Sequence, residues 1–138
     1  GNGPGIWQGW QAVFCGGAAL VGHALPLYHG FRGGKGVATG AGVVLGLAPL
    51  AIALLLPVYA LTLILSGYAS LASLLAAAML PVTVLLTISP PQLMPRLLLG
   101  IGIALFVLYR HRENIRRLRD RTEPRLERAM LFKHWRQR

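Results

Sequence analysis

Two groups of residues in this sequence carry side chains that could bind or react with a substrate. The first is the segment GFRGGKG at positions 30–36, where Arg32 and Lys35 alternate with four glycines. Glycines permit tight turns that direct several backbone N–H groups toward one anion. The residues that follow predict a helix, whose N-terminus adds partial positive charge. The segment therefore predicts a phosphate site, centred on Gly33, Gly34, Lys35 and Gly36.

The glycine segment also fits a less specific interpretation, a turn between membrane helices whose cations only set the topology. A nucleotide-binding P-loop fits poorly, because that motif requires Ser or Thr directly after its lysine and Gly36 stands there. The residues alone leave phosphate binding and a simple turn open.

The second group is His111 and Asn114, in the segment RHRENIRRLRDR that follows the last apolar stretch. A spacing of three places both side chains on one face of a helix. Histidine exchanges a proton near neutral pH, and asparagine can orient a hydroxyl or stabilise an oxyanion. A histidine at a helix end can also have a purely structural role. The residues alone do not distinguish a catalytic role from a structural one.

The elements that position these groups must lie in a membrane. Hydrophobic residues make up 54% of the 138 positions and charged residues only 13%. No Asp, Glu, Lys, Arg or His occurs between Lys35 and Arg96, a stretch long enough for several membrane passes. The composition therefore predicts an all-α, polytopic integral membrane helix bundle, with residues 1–138 in one domain.

We expect about five membrane helices, including one short half-helix, and then a basic tail helix. The predicted helices cover residues 8–27, 37–47, 50–65, 71–88 and 97–109, after a loop at 1–7, and the tail covers 110–138. Polar breaks are expected at 28–36, 66–70 and 89–91. The helix at 37–47 would span only about half of a ~30 Å hydrocarbon core. Such half-helices point one end at a polar ligand in transporters.

Positive charge is distributed unevenly along the chain. Eleven of the fourteen Lys and Arg residues lie between Arg110 and Arg138, two lie in the glycine segment, and the remaining one is Arg96. The positive-inside rule therefore predicts that the breaks at 28–36 and 66–70 and the tail are cytoplasmic. A basic tail beside apolar helices favours membrane lipids over nucleic acid. All four acids follow Arg112, which argues against a metal site.

Three segments, taken together, resemble a known family. They are GHALPLYHGFRGGKGVATGAG at 22–42, LSGYASLAS at 65–73 and YRHRENIRRLRDRTEPR at 109–125. They are similar to two signature regions and an intervening segment of the bacterial PlsY family, the acyl-phosphate:glycerol-3-phosphate acyltransferases. The resemblance implies a multi-pass plasma-membrane enzyme of phospholipid synthesis. Such an enzyme transfers a fatty acyl group from acyl phosphate to the 1-hydroxyl of glycerol 3-phosphate, giving lysophosphatidic acid and phosphate.

The resemblance also implies roles for individual residues. Phosphate binding would fall to the glycine loop with Lys35, together with Thr39, Ser70 and Ser73. His111 and Asn114 would position the substrates and take part in catalysis, and His23 and Glu123 would support the structure. The implied partners are glycerol 3-phosphate, acyl phosphate, membrane lipids and an upstream enzyme that produces acyl phosphate. Neither a cofactor nor a metal is implied.

The family's first signature, a loop rich in glycine, serine and asparagine, does not occur in this sequence. We therefore expect the chain to be the C-terminal part of a longer enzyme and to be inactive alone. Two other hypotheses stay open. One is a small membrane transporter or channel subunit for phosphate or another anion, and the other is a non-catalytic protein that binds lipid through its basic tail.

Overall fold

A computed structural model describes residues 6–24 and 37–126 of the chain. This part forms six α-helices: α1 (Ile6–Ala24), α2 (Val37–Leu47), α3 (Pro49–Ser66), α4 (Ala69–Thr87), α5 (Leu93–Arg110) and α6 (Arg112–Arg119). Helices are the expected solution, because a backbone in hydrocarbon must satisfy its hydrogen bonds within the chain. The prediction of an all-α bundle is confirmed, and the glycine segment at 30–36 lies outside the described residues.

Three of the described helices, α3, α4 and α5, are long and apolar enough to cross a membrane, and α2 is a shorter apolar helix of 11 residues. The prediction of a membrane bundle with one half-helix is therefore confirmed. α1 forms where the sequence predicts a first membrane helix, but it is not among those three. It begins at Ile6, so the predicted loop at 1–7 is too long by two residues.

α4 is the central helix of the bundle, packed against α3 on one side and α5 on the other. Their contact contains the aliphatic core, for example Leu55, Leu80, Ile103 and Val107. Only 11% of the apolar span of α3 is buried inside the protein. A helix that is apolar on all faces and mostly exposed presents its surface to lipid.

The break between α3 and α4 is shorter than the predicted one at 66–70. Gly67 adopts a left-handed conformation with φ 74°, and its N–H donates to the Leu63 carbonyl at 2.8 Å. Glycine enters this region without a steric penalty, so α3 ends and the chain turns within two residues. Ser70 consequently lies in the first turn of α4 rather than in a loop.

α5 begins at Leu93, four residues before the predicted start at 97. The prediction is wrong here because Pro95 falls in the first turn of the helix. Proline is tolerated there, since the N–H that it lacks would have no partner within the helix.

The basic tail begins with the short helix α6, which ends at Arg119. Arg121 adopts φ 59°, and the N–H groups of Thr122 and Glu123 both donate back to the Arg117 carbonyl. The chain then folds over the α3–α4 break, where the Leu126 N–H donates to the Gly67 carbonyl at 2.7 Å. The tail residues at 127–138 lie outside the described part.

Candidate active site

The beginnings of α2 and α4, the junction of α5 and α6, and the folded tail meet at one end of the bundle. They enclose a cavity of about 800 Å³, which we call the main cavity. Its polar side chains come from several elements: His23, Tyr59, Ser70, Ser73, His111, Asn114, Arg117, Glu123 and Arg125. The structure therefore brings together residues that the sequence places up to about one hundred positions apart.

His111 lies at the junction of α5 and α6 and is only 1% exposed. Its ring Nδ1 is 2.9 Å from the Val107 carbonyl oxygen, and its backbone N–H donates to the same carbonyl at 3.0 Å. A carbonyl only accepts hydrogen bonds, so Nδ1 carries the proton and Nε2 is the acceptor nitrogen of the neutral ring. The end of α5 thus sets the orientation and tautomer of a side chain that can take up a proton.

Asn114 is held in place by the folded tail. Its Nδ2 donates to Glu123 Oε1 at 2.6 Å, while Arg117 Nε donates to Glu123 Oε2 at 2.7 Å. Asn114 is 4% exposed and Glu123 is 9% exposed. The hydrogen bond also shows which end of the Asn114 amide is the NH₂ group, because a carboxylate can accept only from that group. Glu123 therefore fixes which side of the Asn114 amide faces it, and Arg117 balances its charge.

The Glu123 carboxylate stays ionised in this buried position. Burial by itself raises its pKa, but the Ser70 hydroxyl, Arg117 and Asn114 outweigh that effect and lower the pKa from 4.5 to about 2. The Ser70 hydroxyl and the other two groups act as donors that favour the ionised form. A permanent negative charge at Glu123 keeps both Asn114 and Arg117 in position at any physiological pH.

The remaining predicted site residues differ in how closely they approach the main cavity. Ser70 and Ser73 line it, and the Ser73 hydroxyl donates to the Ala69 carbonyl at 2.9 Å. His23, which the sequence assigns to structural support, lies in the last turn of α1 and also lines the cavity. Thr39 lies in the first turn of α2 but is not among the lining residues.

The glycine loop itself, with Gly33, Gly34, Lys35 and Gly36, lies outside the described residues. The residues that directly follow it do reach the site, because Val37, Ala38 and Ala41 of α2 line the main cavity.

An apolar pocket of about 100 Å³ adjoins the main cavity between α2, α3, α4 and α5. Both spaces are bounded by Leu56, Tyr59 and Ser73, among others. Deeper in the bundle the pocket is walled by Leu55, Leu80 and other aliphatic side chains. A ligand with a polar head and a hydrocarbon chain matches this arrangement, with the head in the main cavity and the chain in the pocket.

Sequence reasoning missed Arg117 and Arg125, which both line the main cavity. The arginines of the tail resemble one another in the sequence, and no local spacing distinguishes them. Only the turn after α6 shows which of them face the site.

The chain matches the family model for glycerol-3-phosphate acyltransferase over residues 5–121. The chain belongs to that family. It is also similar to a glycerol-3-phosphate acyltransferase of Listeria monocytogenes serotype 4a, with 44% identity over 115 residues. That alignment covers 83% of this chain and 56% of the relative, so the chain spans about half the length of the curated relatives it matches.

Two crystal structures of PlsY, an integral membrane glycerol 3-phosphate acyltransferase, have the same fold. The glycerol 3-phosphate form matches with a TM-score of 0.78 and 35% identity, covering 84% of this chain and 56% of that one. The lysophosphatidic acid form matches with a TM-score of 0.70 and 30% identity, covering 87% of this chain and 67% of that one. The resemblance to the PlsY family stated from the three sequence segments is thus confirmed.

Proposed function

We propose that this chain carries the catalytic end of an enzyme that transfers a fatty acyl group from acyl phosphate to the 1-hydroxyl of glycerol 3-phosphate. The observation that carries the proposal is the buried group of His111, Asn114 and Glu123, with the half-buried Arg117, on the wall of the main cavity beside an apolar pocket. Family membership supports it, and so does the solution of related PlsY structures in glycerol 3-phosphate and lysophosphatidic acid forms.

The reaction needs oriented substrates more than a reactive protein nucleophile. The glycerol oxygen attacks the acyl carbonyl carbon, the bond between that carbon and the phosphate oxygen breaks, and phosphate leaves with the bonding electrons. Acyl phosphate is already activated, so no covalent enzyme intermediate is required. Holding both substrates in one cavity replaces a bimolecular encounter with an oriented one.

We assign His111 to the proton of the attacking hydroxyl. Its Nδ1–H donates to the Val107 carbonyl, so Nε2 is the nitrogen that can accept a proton. Asn114, held by Glu123, would orient the hydroxyl or donate to the oxygen that becomes negative in the transition state.

We assign phosphate binding to the glycine loop with Lys35 and to the hydroxyls of Ser70 and Ser73, with Thr39 at the start of α2. Ser70 supports this assignment, because its buried hydroxyl lines the main cavity. Arg117 is paired with Glu123, so we assign the positive charge that attracts the two phosphate-bearing substrates to Lys35.

We assign the beginning of the acyl chain to the apolar pocket. Its wall combines Leu55, Leu80, Ile103 and Val107, and it opens to the main cavity beside Tyr59. Burial of each methylene group contributes about 0.8 kcal/mol. The pocket would therefore hold the acyl carbonyl at the polar boundary, close to His111.

The transporter and lipid-binding hypotheses fit these observations less well. Transport requires a route to both faces of the membrane, whereas the polar lining lies at one end of the bundle. A protein that only attached to lipid would not require the buried hydrogen bond between Asn114 and Glu123. The names of the relatives describe acyl transfer.

The direct test is transfer from acyl phosphate to radiolabelled glycerol 3-phosphate in membranes. The chain is compared alone and as the full translated product of its gene, with the variants Lys35→Ala and His111→Ala and the exposed control Arg119→Ala. We expect activity in the full product and in the control, and its loss in the two site variants. No activity in the full product would overturn the proposal, and normal activity in both site variants would overturn the residue assignments.

A further inference from the structure

A second cavity lies on the outer side of the folded tail. It has a volume of about 570 Å³ and is lined by Tyr68, Arg121, Glu123 and Arg125. We call it the outer cavity. Glu123 and Arg125 border the main cavity as well, so the two spaces are separated only by the tail segment that contains them.

Arg125 is held rigidly at the wall of the outer cavity. Its Nε donates to the Tyr68 hydroxyl at 2.8 Å, and its guanidinium carbon lies 4.9 Å from the centre of the Tyr68 ring. The contact fixes the plane of the guanidinium, which reduces the side-chain entropy lost when a ligand binds. The two terminal NH₂ groups make no hydrogen bond to a described residue.

Within residues 6–24 and 37–126, no ion pair neutralises the arginines of the outer cavity. Both oxygens of Glu123 are occupied on its other side, by Asn114 and Arg117. Glu113 pairs with Arg116 on the exposed face of α6. Among the described residues, neither Arg121 nor Arg125 forms an ion pair. Two guanidinium groups thus border one space beside Glu123, and neither forms an ion pair with an acid in the described part of the chain.

We propose that Arg121 and Arg125 form a second anion site, in which a phosphate group binds in the outer cavity beside the main one. Guanidinium groups pair with phosphate oxygens through two parallel hydrogen bonds, and the Tyr68 hydroxyl adds a polar neighbour. The site lies where α3 and α4 meet at the end of the membrane-spanning segments. The phosphate is therefore either free phosphate or the headgroup of a membrane lipid. The proposal concerns binding and does not depend on the proposed acyl transfer.

Phosphate binding is measured calorimetrically on the purified chain in nanodiscs of phosphatidylcholine, in a Lys35→Ala background that weakens the main site. Two variants remove the proposed contacts, Arg125→Gln and Arg121→Asn. Asparagine is chosen because it tolerates the left-handed conformation at φ 59°. The control, Arg119→Gln, removes the same charge from an exposed position of α6 outside both cavities.

We expect the Lys35→Ala chain to bind inorganic phosphate, and each of the two variants to weaken that binding roughly 10-fold, the effect of losing one charge-assisted hydrogen bond. Arg119→Gln should bind as the Lys35→Ala chain does. Equal affinity in all four proteins, or no binding in the Lys35→Ala background, would overturn the outer site. Neither result would affect the proposed acyl transfer, which is measured separately.

A second set of nanodiscs that contain phosphatidylglycerol identifies the source of the phosphate. If a lipid headgroup occupies the site, free phosphate binds more weakly in these discs, and Arg121→Asn abolishes the difference between the two lipid compositions. If free phosphate is the ligand, its affinity is the same in both compositions and still depends on Arg125. If phosphatidylglycerol weakens phosphate binding equally in Arg121→Asn, Arg125→Gln and Arg119→Gln, the weakening comes from the general charge of the membrane. That result would overturn the proposal.

Discussion

At the scale of single residues, His111 combines nearly complete burial with a fixed hydrogen bond to the Val107 carbonyl. It is the largest fully buried side chain in the described part of the chain, and a backbone carbonyl determines which ring nitrogen carries the proton. The ring also lines the main cavity, which is why we assign it to chemistry.

We expect His111→Gln to retain the fold but to lower kcat by about 10²–10⁴-fold, the usual range for losing a general base. Glutamine can still donate to the Val107 carbonyl, so the end of α5 should keep its hydrogen bond. The measurement is kcat in the full translated product, with thermal unfolding in detergent as the control. A near-normal kcat would show that His111 has a structural use only.

The contribution of Glu123 to the stability of the folded chain should not depend on pH near neutrality. Its pKa in the folded chain is about 2, compared with 4.5 for the unperturbed group, so folding favours the ionised form. The contribution is complete above 4.5 and is lost as the pH falls toward 2. We expect Glu123→Gln to lower Tm at neutral pH, and the difference from the unchanged chain to shrink only below 4.5. A difference that already disappears near neutral pH would contradict the lowered pKa.

At the scale of elements, α2 is placed by close contacts that depend on small residues. A Cβ added at Gly40 would lie 3.2 Å from the Ile103 side chain of α5. A Cβ added at Gly16 of α1 would lie only 2.7 Å from Val43 Cγ1 of α2. Small residues allow membrane helices to approach closely, and here they bring the first turn of α2 to the main cavity.

The contact between α1 and α2 can be tested with two adjacent glycines. Gly16→Ala should destabilise the protein by about 1–3 kcal/mol, because the branched Val43 side chain has few rotamers with which to move away. Gly17→Ala is the matched control, since a Cβ there meets nothing within 4 Å. The measurement is thermal unfolding in the same detergent. Equal stability of the two variants would show that α1 and α2 do not pack as described.

At the scale of the whole molecule, all charged residues of the described part except Arg96 lie at one end of an apolar bundle. The main cavity, the outer cavity and α6 all lie at that end. The tail closes it through the Leu126–Gly67 and Arg125–Tyr68 hydrogen bonds. We propose that this end faces the cytoplasm, on the basis of the concentration of arginine in the tail.

Cysteine labelling tests this orientation in a Cys15→Ser background, because Cys15 is the only cysteine. We expect a membrane-impermeant maleimide to label Arg119→Cys in inverted vesicles but not in intact cells. Gln92→Cys, between α4 and α5 at the other end of the bundle, should show the reverse pattern. Labelling of Arg119→Cys in intact cells would place the site on the outer face.

The sequence by itself determined what depends on local properties of the chain. Hydropathy located the membrane helices, and the bounds of α2 were predicted correctly at 37–47. The predicted breaks correspond to real helix ends, with errors of a few residues at α1, α5 and the α3–α4 turn. The segments that resemble PlsY sufficed to indicate the family, because such motifs are contiguous in the chain. His111, Asn114, Ser70 and Ser73 were therefore candidates before the fold was known.

Only the tertiary structure decided how these residues act together. Asn114 forms a hydrogen bond with Glu123, which lies nine residues further along the chain. Arg125 forms one with Tyr68, which lies 57 residues earlier. The first pairing depends on the turn at Arg121, and the second on the tail folding over the α3–α4 break. Neither leaves a periodic or compositional signal, because the free energy that selects it comes from burial and hydrogen bonding between segments that are distant in the chain. The two cavities and the arginines that line them follow from that folding.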